Sequence, residues 1–408
     1  MRYIANALPV AQVDTLAVGG TIEADDLFLM TINGKTLRVV AGSAVASTVA
    51  SNIAEAWNLS TIPEFAEVTA EADGATVLLT ADTAGRPFTL TVSTTEASGG
   101  GADAQTFSRS TTTACSGPSF WNVAANWDTG VVPANGDDVY LENSAVDLLY
   151  GLDQSAVTLD SLHIAASYTG RIGLPEHNGQ YREYRLRTLR VSATLVRIGY
   201  GPGPGSGRIR LDTGSAATAV SVLRTGTSAE SDRAALYWLG AHADNTLEVL
   251  QGSVEVATEA GDAAQVTPRI GQAGAISDAT VRFGTGVTLG GLHASGGEIE
   301  INSDIDTIDM NDGTLTIAAG AVDTLNVYGG TAYYNSAGAL GTASVGPRGR
   351  LDFSQDMSPK TVTNPVTLSA GATLHDPLGV ALPAFAIERA TLADVRVVVG
   401  HGKTYSVS

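Results

Sequence analysis

From Val281 to Leu374 the chain repeats itself, and that repeat limits the fold more than any other feature. Divided after its glycines, most of the stretch reads EIEINSDIDTIDMNDG, TLTIAAGAVDTLNVYGG, TAYYNSAGALGTASVGPRG and RLDFSQDMSPKTVTNPVTLSAGA. The second and fourth residues of each unit are mostly apolar: Ile299 and Ile301, Leu315 and Ile317, Ala332 and Tyr334, Leu351 and Phe353. A second pattern, apolar-x-x-apolar-x-apolar, follows at Ile305, Ile308, Met310, then Val322, Leu325, Val327, then Leu340, Ala343, Val345. Alternation at period two marks strands with one buried face. A fixed repeat of such strands with Gly-rich corners marks a coil of stacked rungs. The expected fold is mainly β, with a parallel β-helix as its largest part.

The same signature recurs at Leu159, Leu162, Ile164 and at Leu186, Leu189, Val191. Weaker copies lie near Val220 and Val222, near Leu247 and Val249, and at Thr363, Val366, Leu368. A last copy is Leu392, Val395, Val397. Spacing is roughly 27 to 32 residues in the first half and roughly 16 to 23 after residue 281. A tapering coil or a change of rung cross-section accounts for this shift. The frame from Ile276 to Leu289 fits no single register. About ten rungs at 4.8 Å would give a rod some 50 Å long.

A chain of 408 residues has room for two or three cored domains. Its 23 basic against 42 acidic residues argue against coating nucleic acid, which needs clustered Lys and Arg. The single cysteine, Cys115, excludes an internal disulfide framework and reads as a buried, inert thiol. MRYIANALPVAQVD has no sustained apolar core, and no run approaches the roughly 18 apolar residues of a membrane span. Synthesis and folding in a cytoplasm are therefore expected.

Residues 1–13 read as an extended arm or edge strand, followed by a compact unit over 14–96. LFLMTINGKTLRVVAG is a hairpin turning at Asn33-Gly34, where positive φ angles are needed. Ser43 is the expected cap of a helix whose Val45, Val49, Ile53 and Trp57 form one stripe. EVTAEADGATVLLTA is a second hairpin turning at Asp73-Gly74, and PFTLTVST completes a ββαβββ order. TINGKT, the Ala-rich helix and TAGRPFTLT together resemble a small module that recurs in structural proteins of tailed bacteriophages. The resemblance covers about 85 residues and implies a virion component.

Residues 97–118 are rich in Gly, Ser and Thr and read as a linker. FWNVAANWDTGVVPANGDDVYL resembles the entry to bacterial β-solenoid and autotransporter-like passenger domains. Trp121, Asn126, Trp127, Gly130, Pro133, Gly136, Asp137 and Val139 carry that match. The first rung of a solenoid exposes an apolar end that must be covered, so Trp121 and Trp127 are the candidate cap of a β-helix over 119–408. Sugar stacking is the alternative use of the two rings.

Arginines 171, 182, 185, 187, 190, 197, 208 and 210 would form a basic strip on neighbouring rungs. Arg182, Arg185, Arg187, Arg190 and Arg197 are the candidate interface, paired with acids of this chain or of another copy. An anionic glycan or nucleic acid is the alternative partner. GYGPGPGSG (199–207) lacks the Lys-Ser/Thr of a phosphate loop and reads as a protruding turn. Asp304, Asp306, Asp309 and Asp312 are an acidic run read as a solvated face, as are the Asp25-Asp26 and Asp137-Asp138 pairs. His163, His177, His242, His293, His375 and His401 have no metal-ligand spacing, and no GxSxG or HExxH occurs.

No catalytic residue, cofactor or metal is expected. Phage β-helices are commonly trimeric, so the resemblance implies a homotrimeric virion appendage. The leading expectation is a capsid decoration or cement protein bound to the major capsid protein. A receptor-binding tail fibre or tailspike, attached to tail proteins and touching a host-surface glycan, is the second reading. A β-helical polysaccharide hydrolase or lyase, its side chains drawn from several rungs, is the third.

Overall fold

The computed structural model describes residues 1–96, 104–177, 181–272, 277–381, 383–388 and 390–403. Two separate hydrophobic cores organise the chain, one in the N-terminal module and one running through the coil.

The module contains β1 (Val13–Gly20), β2 (Leu27–Ile32), β3 (Lys35–Val40), α1 (Ala46–Asn58), β4 (Val68–Asp73), β5 (Thr76–Ala81), β6 (Leu90–Thr95) and β7 (Gln105–Thr113). The expected ββαβββ order is present from β2 to β6, and β1 and β7 add to it. Strands pair antiparallel in two sheets, β4-β5-β1-β7 and β3-β2-β6. Asn33 and Gly34 take φ of 47° and 85°, which closes the two-residue hairpin between β2 and β3. In the second hairpin Asp73 still pairs with Thr76, so the turn is Gly74-Ala75, one residue later than expected.

Helix α1 buries Val49, Ala50, Ile53, Ala54 and Trp57 against both sheets' core. Trp57 packs edge-on to Phe65 at 4.6 Å and donates Nε1–H to the Val68 carbonyl at 2.7 Å. Val45 falls outside this stripe: it is 57% exposed and is itself the N-cap residue. Ser43 does not cap the helix either, because its Oγ accepts from Val45 N–H in a tight turn before the helix begins.

The expected linker is largely structural. Residues 97–103 lie outside the described residues, but 105–113 form β7, the edge strand beside β1. Phe107 packs on Phe28, and Arg109 reaches back 2.5 Å to Asp14, which is fully buried. The arm is not free. Tyr3 and Ile4 donate backbone N–H bonds to Tyr140 and Asn126, and Val10 bonds Ser116.

Twenty strands from Asp138 to Val399, every pairing parallel, build the coil. One inward column runs Leu141, Ile164, Ile198, Val222, Val249, Ile270, Ala294, Met310, Val327, Val345, Leu368 and Ile387, each paired with the next. A second runs Leu189, Leu211, Trp238, Val256, Phe283, Ile301, Ile317 and Tyr334, and ends on Phe353. Twelve rungs at 4.8 Å make a rod of about 50 Å. Both columns advance by whole rungs through the repeat, so its expected registers hold: Ile308 stacks on Leu325, and Leu315 on Ala332.

Two copies of the signature fall on other faces. Leu189 stacks on Leu211 in the second column, whereas Leu159, Leu162 and Ile164 stack on Ala193, Val196 and Ile198. Leu392 sits in a short 3-10 turn and is 60% exposed, and the column is continued by Phe385 and Ile387 instead. Within the ambiguous frame, Ile276 lies outside the described residues, while Ala279–Phe283 and Val287–Leu289 join neighbouring rungs on two faces. The Gly-Pro loop protrudes only at its tip. Gly205 N–H bonds Ala166, Ser206 is buried, and a Cβ on Gly203 would meet the Ala166 carbonyl at 2.2 Å.

Candidate interface strip, end cap and acidic groups

The arginines of residues 171–210 are largely paired within the chain. Arg171 takes Asp147 with Nε at 3.0 Å, while Arg182 pairs with Glu176 and Arg185 with Glu183. Arg187 and Arg210 converge on Glu259 at 2.8 and 2.9 Å, and Arg190 lies 3.9 Å from Asp212. Arg208 and Arg210 are not surface residues: they are 4% and 6% exposed, with Arg208 on Glu230 and Arg210 over the Tyr237 ring at 3.9 Å. Of the five candidate interface residues, Arg197 alone makes no ion pair among the described residues. It neighbours His163, which stacks on Tyr140 at 4.7 Å. Burial first, and Arg197 second, hold that imidazole below its usual range.

Glu259 is the hub that the sequence did not announce. Burial pushes its carboxyl upward, but the Arg210 bond and the charges of Arg210, Arg187 and Arg233 outweigh burial, so it titrates below the usual glutamate range. A depressed carboxyl contributes stability above its unfolded value, and loses it as pH falls through the folded one. Glu259→Gln is expected to cost about 2 kcal/mol near pH 7, because it leaves Arg210 buried without its counter-charge. The deficit should shrink as pH falls from 7 through the parent carboxyl's folded value, where it takes up a proton too. Urea midpoints of the two proteins at a series of pH values from 7 downward check this. An unchanged deficit at low pH would assign the loss to packing instead.

Trp121 and Trp127 are buried in the core that runs through the coil, in the segment just ahead of its first strand. Each is 1% exposed, their rings meet edge-on at 4.9 Å, and Trp127 Nε1–H bonds the Trp121 carbonyl at 2.8 Å. Tyr3 from the arm packs on Trp127 at 5.6 Å and donates its hydroxyl to the Pro118 carbonyl. Neither indole has an open face for a sugar. Asn126 is fully buried between them and the arm. Its Oδ1 accepts Ala7 N–H at 2.9 Å, and its Nδ2 donates to the carbonyls of Gly117 and Phe120 at 2.9 and 2.8 Å.

Module and coil also meet at the 181–184 segment. Tyr181 donates its hydroxyl to Glu67, Arg182 N–H bonds Glu64, and Asn33 bonds the Arg182 carbonyl, all at 3.1 Å. No sequence pattern pairs these residues. Cys115 is half-buried rather than buried, and burial pushes its thiol up to about 11.

The acidic run does not converge. Asp304 accepts Ala321 N–H, Asp309 accepts Asn326 Nδ2–H, and Asp312 accepts Gly313 N–H. Asp137 accepts Ala134 N–H within its own turn, rather than standing only as part of a solvated face. Asp26 departs from expectation: it is 1% exposed, not solvated. Among the described residues, the group of carboxylates close enough to hold a metal is Glu23, Asp25, Asp26 and Glu96, and no histidine joins such a group. No described helix is long and apolar enough to cross a membrane. No protein-family model matches the chain, and no curated protein matches it.

Proposed function

We propose that this chain is a non-enzymatic structural component of a tailed-phage virion, a capsid decoration protein whose β-helix stands out from the shell. The observation that carries this reading is the joint between the two cores. Among the described residues, arm, cap and 181–184 segment tie the module to the first rungs, and the later rungs run on as a rod without such ties. The resemblance of residues 14–96 to phage structural modules supplies the setting. Attachment falls to the module, where Val40, Val45 and Leu59 stand 54%, 57% and 72% exposed around α1. The arm is the weaker candidate for attachment, since Tyr3, Ile4 and Val10 spend backbone N–H bonds within this chain.

A homotrimer remains part of the proposal on the resemblance alone, because the arginine strip, Arg197 apart, finds its acids within the chain. Copy number in purified particles tests the reading. Hundreds of copies per particle, in multiples of three, are expected of a trimeric decoration. A handful fixed by the rotational symmetry of a tail would replace decoration with a tail fibre or tailspike. Depolymerisation of host polysaccharide by the purified full chain would overturn the non-enzymatic assignment.

A further inference from the structure

We propose that the corner between β1 and β2 binds one divalent cation of the calcium class, held by Glu23, Asp25, Asp26 and Glu96. One carboxylate oxygen from each lies within 4.8 Å of the others. Oxygens on opposite sides of a calcium ion, each at about 2.4 Å, are separated by that same distance. The set is made of hard oxygen donors with no nitrogen or sulfur, which suits calcium over zinc or copper. Magnesium, with its tighter octahedron and firmly held water, fits such a cluster less well.

Asp26 carries the argument beyond a mere acidic cluster. Its side chain is 1% exposed, and Oδ2 accepts Glu23 N–H at 2.7 Å. Oδ1 is buried and accepts no hydrogen bond. No Lys, Arg or His pairs with Glu23, Asp25 or Asp26 among the described residues. A buried carboxylate needs a counter-charge or a metal to offset its lost hydration. Elsewhere in the module the chain meets that need directly, as Arg109 does for Asp14.

The backbone presets the cluster. Asp26 N–H bonds Glu23, Ala41 N–H bonds Asp26, and Gly42 N–H bonds Ala24. Antiparallel pairing places Leu27 opposite Thr95, so the next step outward brings Asp26 beside Glu96. A bound cation would therefore fasten the β1–β2 corner to the end of β6. This inference stands apart from the virion reading.

The test is calorimetric titration of the chelator-stripped full chain with calcium chloride, with thermal melts alongside. One calcium per chain and a higher Tm at millimolar calcium are expected, with a weaker response to magnesium. Glu23→Gln/Asp25→Asn alters only exposed side chains, so folding is not at risk. It should weaken binding at least tenfold and abolish the Tm rise, while its melt without calcium stays at or above the parent's. Asp26→Asn should also bind at least tenfold more weakly. Absence of both heat and Tm shift at millimolar calcium would overturn the site. So would undiminished binding in both variants.

Discussion

Ile308→Asp is expected to collapse the tight half of the coil. Ile308 is fully buried, with Leu292 stacked on one side and Leu325 on the other. Truncating such a side chain alone costs about 2–5 kcal/mol. An unpaired carboxylate in the same apolar place adds several more, or takes up a proton at comparable cost. The sum approaches the whole stability of an ordinary domain, about 5–15 kcal/mol. Rungs touch only their neighbours, so the damage should spread along the stack before it reaches the module. Limited proteolysis should cut first between residues 292 and 345, and the main melting transition should fall by at least about 10 °C. Asp306→Ala, at an exposed position two residues away, should stay within about 0.5 kcal/mol of the parent. If Ile308→Asp melts within a degree or two of the parent, Ile308 does not face the interior.

That stretch was readable because its rungs are short and uninterrupted. From Ala294 the first column steps to Met310, Val327 and Val345, intervals of 16, 17 and 18 residues. At nearly constant spacing, the columns show themselves as a period in the sequence. Between Ile164 and Ile198 the interval is 34 residues, because the chain runs longer between Ile172, which bridges Leu148 and Ile209, and Leu189. There the pattern matches Leu186, Leu189 and Val191, which obey the same spacing on a different wall of the coil. Period two is a local property, and which wall a strand joins is fixed by parallel partners a full rung away.

Edge structure was harder to read for a related reason. TFSRSTTT looks like linker because most of its side chains in β7 face solvent, and only Phe107 and Arg109 reach inward. The two tryptophans of the cap declared themselves through the NW motif. Tyr3 did not, since nothing near it in sequence says that its partner lies more than a hundred residues on. Likewise Glu259 and Glu230 answer arginines from earlier rungs, and Glu96 meets Asp26 only through strand pairing.

Asn126→Ala is expected to open the capped end, at a cost of about 3–5 kcal/mol. The substitution removes an amide that is fully buried and strands three backbone groups: the Ala7 N–H and the carbonyls of Gly117 and Phe120. Each unmet buried group costs about 1–3 kcal/mol, partly relieved if water enters. Asn126→Asp keeps only the bond from Ala7 and places a charge against two carbonyls, so it should be no milder. Loosening the arm withdraws Tyr3 from Trp127 and wets the indoles, which predicts a red-shifted tryptophan emission and early cleavage within residues 1–12. An uncovered first rung is an open sheet end, so the variant should also self-associate at concentrations where the parent does not. Deleting residues 1–8 should reproduce the lower stability, the red shift and the self-association, because it removes Tyr3 and the Ala7 N–H together. Unchanged melting and emission after that deletion would mean that Tyr3 does not seal the cap. The arm would then be available to add as a strand to another protein.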